Sequence, residues 1–384
     1  MEKDKQVLII SAEASSNLYA QRILEEWKSR KINIKAFGVG SVDMEKLGFE
    51  RLGKAEEMAL VGAAEIIEHY GDIKKVFNNI LSRCQKQKPA LALLLDYPEF
   101  NLRLAKELKK LNIPVFYYIS PQIWAWRKKR VFQMKEFCEK VFLIFPFEIP
   151  FYEQHQVKYE FVGHPILDEL NHELLETEFI NLERSKCGIK EDEIVLGLMP
   201  GSRKGELQRH FLIQLEVAKR LSKKVDNLKI LILCAPSFEK EDLYPYLENF
   251  KVPYILMKTD PFKMIAITDL ILAASGTATL MVGLLEKPMV IMYRMKWLTG
   301  IIAKLLVRGV KFFGITNLIL EKEVSPERFQ EQASVENLEE LVFDLISKPE
   351  VFAKQKKELK QLRERLGQSG ANKRVVSELD KYLS

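Results

Sequence analysis

The chain has 384 residues, enough for about two to three domains of ordinary size. Hydrophobic residues make up 47% and charged residues 29%, a globular composition that excludes a disordered or fibrous chain. Lys and Arg outnumber Asp and Glu by 59 to 53, a net charge of +6 that is too mild to announce a nucleic-acid partner yet suits an anionic ligand or a membrane surface.

The chain begins with a polar stretch, Met1 to Lys5, and then a short apolar run, Val7 to Ile10. That run is shorter than the ~7–15 apolar residues of a secretory leader, so none is expected. It opens a series of candidate strands: Val7–Ile10, Ile34–Val39, Leu91–Leu95, Val115–Ile119, Val141–Phe145 and Glu160–Val162. Most are apolar throughout, as strands covered on both faces should be. Helical patterns separate them, such as Leu102, Ala105, Leu108 and Leu111 at spacings of three. Such alternation predicts a parallel, doubly wound α/β sheet.

The rhythm stops at Leu167 and yields to a polar, acidic stretch, Asp168 to Glu193. It restarts with Ile194–Met199, Ile230–Cys234, Tyr254–Met257, Leu270–Ala273 and Met289–Met292. Two α/β domains are expected, over 1–167 and 168–348, followed by a charged helical tail over 349–384. No stretch supplies the ~20 apolar residues of a spanning helix; the nearest, Leu270 to Leu285, is broken by Ser275-Gly276-Thr277. The four cysteines are scattered without a CxxC, which predicts neither disulfide nor zinc and fits a reducing cytoplasm.

Open parallel sheets bind ligands beyond the carboxyl ends of their strands, so the residues that follow each strand carry the functional information. After the first come Ser11-Ala12-Glu13-Ala14-Ser15-Ser16-Asn17, either a helix-capping turn or a ligand loop. Leu91–Leu95 is followed by Asp96-Tyr97-Pro98-Glu99-Phe100-Asn101. Asp96, at the end of an apolar strand where solvation is poor, is a candidate general base with a raised pKa, or else a helix N-cap. Next comes Ser120-Pro121-Gln122-Ile123-Trp124-Ala125-Trp126-Arg127-Lys128-Lys129-Arg130. Tryptophans beside a basic quartet suit an amphiphile carrying a phosphate.

The segment 58–77, with Met58, Ile66 and Ile67 followed by Lys74 and Lys75, is either core or a surface helix that docks on a bilayer with lysines toward anionic head groups. In the second half, Pro200-Gly201-Ser202-Arg203-Lys204-Gly205-Glu206 opens a helix, where free N–H groups attract phosphate and Arg203 adds a fork of donors. Ala274-Ser275-Gly276-Thr277-Ala278-Thr279 is a second turn of this kind. Two such turns in one domain point to a nucleoside diphosphate. Neither dinucleotide fingerprint nor P-loop spacing is present.

With these motifs assembled, the sequence resembles the lipid-A-disaccharide synthase family, inverting glycosyltransferases of the two-domain GT-B fold. The resemblance rests on Val61-Gly62-Ala63-Ala64-Glu65, the Asp96–Asn101 and Ser120–Arg127 motifs, Phe145-Pro146-Phe147-Glu148, Phe161-Val162-Gly163-His164-Pro165, Pro200–Arg203 through Glu206, Ser275–Thr279, Tyr293-Arg294-Met295 and Thr316-Asn317-Leu318. It implies two Rossmann-like domains facing across a cleft, with the C-terminal helix returning to the first. The implied donor is a UDP-linked, diacylated glucosamine and the acceptor a diacylated glucosamine 1-phosphate, whose 6-hydroxyl takes the sugar to give a β-1′,6-linked disaccharide phosphate plus UDP. It also implies no cofactor or metal, in keeping with the lack of metal-ligand spacing among five histidines.

The implied location is peripheral, on the cytoplasmic face of the bacterial inner membrane, with contact through 58–77 and Trp124–Arg130. Residue by residue, Asp96 matches the base, and Glu13, Ser15, Asn17, Gln122, Trp126 and Arg127 match the acceptor side. Gly201, Ser202, Arg203, Glu206, Ser275, Gly276, Thr277, Ala278, Thr279, Arg294 and Asn317 match the UDP side. Two features depart from the family pattern. Ala12, Ser16 and Asn17 replace two glycines and an aspartate in the first loop, and Met281 replaces a glutamate that holds the donor ribose. They keep open a non-catalytic or altered-donor homologue that binds lipid or UDP-sugar; another UDP-sugar transferase or an epimerase is a further alternative.

Overall fold

The computed structural model describes residues 5–59, 66–125, 127–276, 278–295 and 312–383. The chain divides into two units, one running to Asp168 and resuming at Leu366, the other spanning Glu169–Arg365.

The first unit is built on seven parallel strands: β1 (Lys5–Ile10), β2 (Ile34–Gly40), β3 (Glu50–Lys54), β4 (Leu91–Leu95), β5 (Val115–Tyr118), β6 (Lys140–Leu143) and β7 (Tyr159–Phe161). Their spatial order is β3-β2-β1-β4-β5-β6-β7. The chain therefore winds outward from β1 on one side and then outward from β4 on the other, leaving a topological switch point between β1 and β4. All five residues of β4 are fully buried, because alternate side chains enter opposite layers. Leu8, Ile10, Leu94 and Tyr117 pack with Leu108 on one face. Val7, Ile9, Leu93, Leu95 and Phe116 pack with Trp27 on the other.

The second unit repeats the plan with β8 (Ile194–Met199), β9 (Leu228–Leu233), β10 (Tyr254–Met257), β11 (Leu270–Ala274), β12 (Met289–Tyr293) and β13 (Glu327–Phe329), in the order β10-β9-β8-β11-β12-β13. Its switch point lies between β8 and β11.

The end of the chain returns to the first unit, as the family resemblance implies. Val375, Val376 and Leu379 of the helix Ala371–Asp380 join the same core layer as Trp27. The Trp27 indole N–H donates to Asp380 at 2.9 Å, Arg30 pairs with Asp380 at 2.9 Å, and Lys140 pairs with Glu378 at 2.6 Å. The helices Pro349–Leu359 and Gln361–Arg365 stay with the second unit, so the helical tail is shared between the two. Among the described residues no helix is long and apolar enough to cross a membrane.

Candidate active site

At the carboxyl edge of the first sheet, the loops after β1, β4, β5 and β6 lie side by side because those four strands are neighbours. Asp96 follows β4 directly, at the switch point, and is half-buried. It and Tyr97 both adopt left-handed backbone conformations, with φ of +47° and +44°. Non-glycine residues pay for this geometry, so it persists only where neighbours over-determine it. The Asn101 amide supplies that restraint, donating to the Leu95 carbonyl at 3.1 Å and the Asp96 carbonyl at 2.7 Å, while the Tyr117 hydroxyl also donates to the Asp96 carbonyl. The last residue of the Asp96–Asn101 motif thus fastens the first. The N-cap of the following helix, Pro98–Lys110, is Tyr97 and not Asp96.

Across the switch point, Glu13 caps the helix Ala14–Ser29; its N–H donates to the Ser16 hydroxyl at 3.1 Å, and that hydroxyl donates to the Glu13 carbonyl at 2.8 Å. Asn17 accepts a 2.5 Å hydrogen bond from Ser11, and Ser15 is exposed. Burial pushes the Tyr97 hydroxyl above its ordinary range, and the Glu13 charge adds to the effect. Glu13 therefore stands beside the Asp96 turn. The capping reading holds here, since Glu13 closes on Ser16 at the helix start.

After β5, Gln122 is exposed and Trp124 rests edge-on against Phe147, ring centres 4.9 Å apart. Trp126 lies outside the described residues. Arg127 and Arg130 both close on one carboxylate oxygen of Glu99, three residues beyond Asp96. Burial would raise the Glu99 carboxyl, but the hydrogen bonds and charges of Arg130 and Arg127 outweigh it and hold the group below the usual carboxylate range. Two guanidinium groups on one carboxylate leave a net positive charge beside the candidate base.

The segment 58–77 is described only in part: residues 60–65 lie outside the described residues, as do the side chains of Ile66 and Ile67. Met58 is core, and Ile73, Val76 and Phe77 pack against the same cluster. Lys74 and Lys75 are exposed. Where it is described, then, the apolar side of the segment faces the protein, which corrects the bilayer-facing reading for these residues. Trp124 is likewise turned onto Phe147. Among the described residues of this region the exposed aromatic is Phe132, at 60%, which the sequence reading missed.

In the second unit the loops after β8, β11 and β12 are neighbours. Gly201 has φ +113°, and a Cβ there would stand 2.6 Å from the Glu206 carboxylate, so only glycine fits the turn. Glu206 reaches back to accept from the Ser202 N–H at 3.0 Å and the Arg203 N–H at 3.3 Å. This corrects the expectation of free N–H groups: the chain's own carboxylate occupies them, as in a capping box. Arg203 itself is 75% exposed. Ser275 and Gly276 follow β11, with open space around Gly276. Thr277 lies outside the described residues. Ala278 opens the next helix, and the buried Thr279 hydroxyl donates to the Gly276 carbonyl at 2.8 Å, capping its own turn.

Arg294, after β12, donates through Nε to the Gln330 carbonyl at 3.2 Å. The buried His210, also missed in the sequence, ties two loops together: Nδ1 lies 3.2 Å from the Pro200 carbonyl, and Nε2 accepts from the Arg294 N–H at 2.9 Å. Nε2 also lies 3.1 Å from the Arg294 carbonyl; burial lowers the His210 pKa although the hydrogen bonds to the Pro200 and Arg294 backbone oppose the shift. Asn317 is fully engaged within its own segment. Its oxygen accepts from the Val324 and Ser325 N–H groups at 2.9 Å each, and its nitrogen donates to the Ser325 carbonyl at 2.7 Å and to Glu327 at 2.5 Å. The buried amide clips a helix to β13. Glu286, beyond the helix Ala278–Leu284, pairs with Lys360 at 3.8 Å.

Two doubly wound parallel sheets in succession make a GT-B-type fold. The UDP-GlcNAc 2-epimerase from Neisseria meningitidis bound to UDP-GlcNAc shares this fold, with a TM-score of 0.64 at 12% identity over 98% of this chain and 100% of that one. The family is fixed by sequence. The lipid-A-disaccharide synthetase family model matches residues 7–379. The lipid-A-disaccharide synthase of Geobacter metallireducens is 33% identical over 97% of this chain and 96% of its own length, and that of Myxococcus xanthus is 32% identical over 100% and 99%. The chain belongs to the lipid-A-disaccharide synthetase family and is a glycosyltransferase of lipid A biosynthesis.

Proposed function

We propose that the chain transfers 2,3-diacylglucosamine from its UDP derivative to the 6-hydroxyl of 2,3-diacylglucosamine 1-phosphate, with Asp96 as general base. The Asp96 carboxylate takes the hydroxyl proton as the oxygen attacks the anomeric carbon. The new C–O bond forms as the C–O bond to the diphosphate breaks, and that electron pair leaves on UDP. Attack opposite the leaving group inverts the anomeric centre and gives the β-1′,6 linkage. The observation that carries this reading is the Asp96 turn, a strained backbone fastened by Asn101 and Tyr117 at the sheet's switch point.

Arg127 and Arg130 are the groups to receive the acceptor phosphate, which would compete with Glu99 for them. Glu13, Ser15, Asn17, Gln122 and Trp126 complete the acceptor side. On the donor side, Arg203 offsets the diphosphate charge, while Gly201, Ser202, Ser275, Gly276, Thr277 and Ala278 offer backbone or hydroxyl contacts. Glu206, Thr279 and Arg294 hold the loops in shape. A peripheral position on the cytoplasmic face of the inner membrane is supported by Phe132, exposed on the helix Arg130–Phe137, and by the exposed Lys128, Lys129 and Lys135 close to it in sequence.

The test is turnover of the two lipids in detergent by the purified chain, read as disaccharide 1-phosphate and UDP. Asp96→Asn should lower kcat at least ~100-fold, the low end for losing a general base, with the fold intact by circular dichroism. An unchanged rate removes Asp96 from its role. Lipid or UDP binding without turnover in the wild type would favour the non-catalytic reading that Met281 keeps open.

A further inference from the structure

We propose that Arg209 is a further donor-binding residue: its guanidinium, fixed across the first turn of the helix Lys204–Leu221, receives the diphosphate. The proposal rests on the assignment of the second unit to the UDP donor. The helix opens just beyond β8, and Glu206 already accepts from the Ser202 and Arg203 N–H groups there. With the chain's own carboxylate on these amides, the positive charge for a diphosphate has to come from side chains. Arg203 is one such group, 75% exposed and 3.9 Å from Glu206. Arg209, a full turn further along the helix, is half-buried.

Two contacts fix this side chain. Arg209 Nε donates to the Arg294 carbonyl at 3.0 Å, and the next residue, His210, accepts from the Arg294 N–H at 2.9 Å. Consecutive helix residues thus hold both main-chain polar groups of Arg294, which follows β12. The two terminal nitrogens of Arg209 lie over Gly205, where a Cβ would stand 3.1 Å from each. Gly205 does not adopt a left-handed backbone, so here glycine supplies space and not conformation. Among the described residues these nitrogens have no hydrogen-bond acceptor and no carboxylate partner. A guanidinium presents a rigid fork of donors that matches a phosphate in two-pronged fashion. This one lies between the helix start after β8 and the loop after β12, at the carboxyl edge of the second sheet. Held at Nε beforehand, it loses less freedom on meeting an anion than the exposed Arg203 does.

The experiment compares wild type with Arg209→Gln and Arg209→Ala, reading donor and acceptor KM together with the Kd of UDP and of uridine by titration calorimetry. The glutamine amide nitrogen occupies the same place along the side chain as the arginine Nε. Arg209→Gln therefore keeps a donor for the Arg294 carbonyl while losing the charge and the fork; Arg209→Ala loses all three. Both variants should raise the donor KM and the UDP Kd at least ~10-fold, the loss expected for a charge-assisted contact. The acceptor KM and the uridine Kd should stay within about two-fold of wild type.

An Arg209→Gln variant that binds UDP as wild type does overturns the proposal, since the arginine then serves only to hold Arg294. An equal loss for UDP and uridine overturns it as well, because that pattern reports a distorted nucleoside site and not a missing phosphate contact. Should Arg209→Ala not fold, the glutamine comparison decides alone. A wild type that binds UDP without forming disaccharide sinks the transfer reading and leaves the Kd comparison to judge Arg209. One that binds no UDP overturns both.

Discussion

Asp96 and Arg130 show how much a single side chain's neighbours decide. The Asp96 carboxylate sits on a backbone turn that Asn101 and Tyr117 hold against its own strain, so its placement does not depend on a bound substrate. Arg130, only 14% exposed, is the anchored half of the arginine pair on Glu99. Arg130→Ala should raise the acceptor KM by about ten-fold, equivalent to roughly 1.4 kcal/mol for one charge-assisted contact, and leave the donor KM alone. Steady-state kinetics with each substrate varied in turn would check it, and a change confined to the donor would reassign the pair. Asp96 was legible in the sequence because a carboxylate that ends an apolar strand is chemically conspicuous. The clip made by Asn317 was not legible, because a carboxamide that satisfies its own backbone looks the same in a sequence as one that binds a ligand. His210 went unseen because its partners, the Pro200 carbonyl and the Arg294 amide, are main-chain groups that no sequence pattern displays.

At the level of elements, the central strands could be read directly, since β4 and β11 are runs of apolar residues covered on both faces. The strands β3 and β13 could not. They are outer strands carrying Glu50, Arg51 and Lys54, or Glu327 and Arg328, the charges with which natural sheets blunt their edges, and so they read as loops. The helix Arg130–Phe137 makes a specific prediction. Phe132→Ser combined with Lys128→Glu and Lys129→Glu should weaken sedimentation with anionic vesicles at least ~10-fold, since each basic residue near such a surface contributes about 1 kcal/mol. Turnover in detergent should be retained. Vesicle binding equal to wild type would move the membrane contact elsewhere. The glycine turn before the helix Lys204–Leu221 makes another. Gly201→Ala would force an L-residue into φ +113° against Glu206 and should cost about 1–3 kcal/mol of stability, measured by urea denaturation.

Across the whole molecule, the two units differ in how the chain supplies them. The second is one continuous stretch, whereas the first needs both ends of the polypeptide. Val375, Val376 and Leu379 are fully buried there, and at about 1.5–3 kcal/mol each they contribute an amount comparable to the net stability of a domain. Truncation after Arg365 should therefore leave the first unit without cooperative melting while the second keeps its own transition. Calorimetry of the truncated chain showing two intact transitions would contradict this.

The return of the C-terminal helix also sets an order of events during synthesis. Glu169–Arg365 leaves the ribosome as a finished unit while the segment before it, though made first, still lacks the strip that covers Trp27. A segment translated early is thus sealed late: all seven strands of the first sheet are made before the helix Ala371–Asp380, whose valines and leucine complete the layer around Trp27.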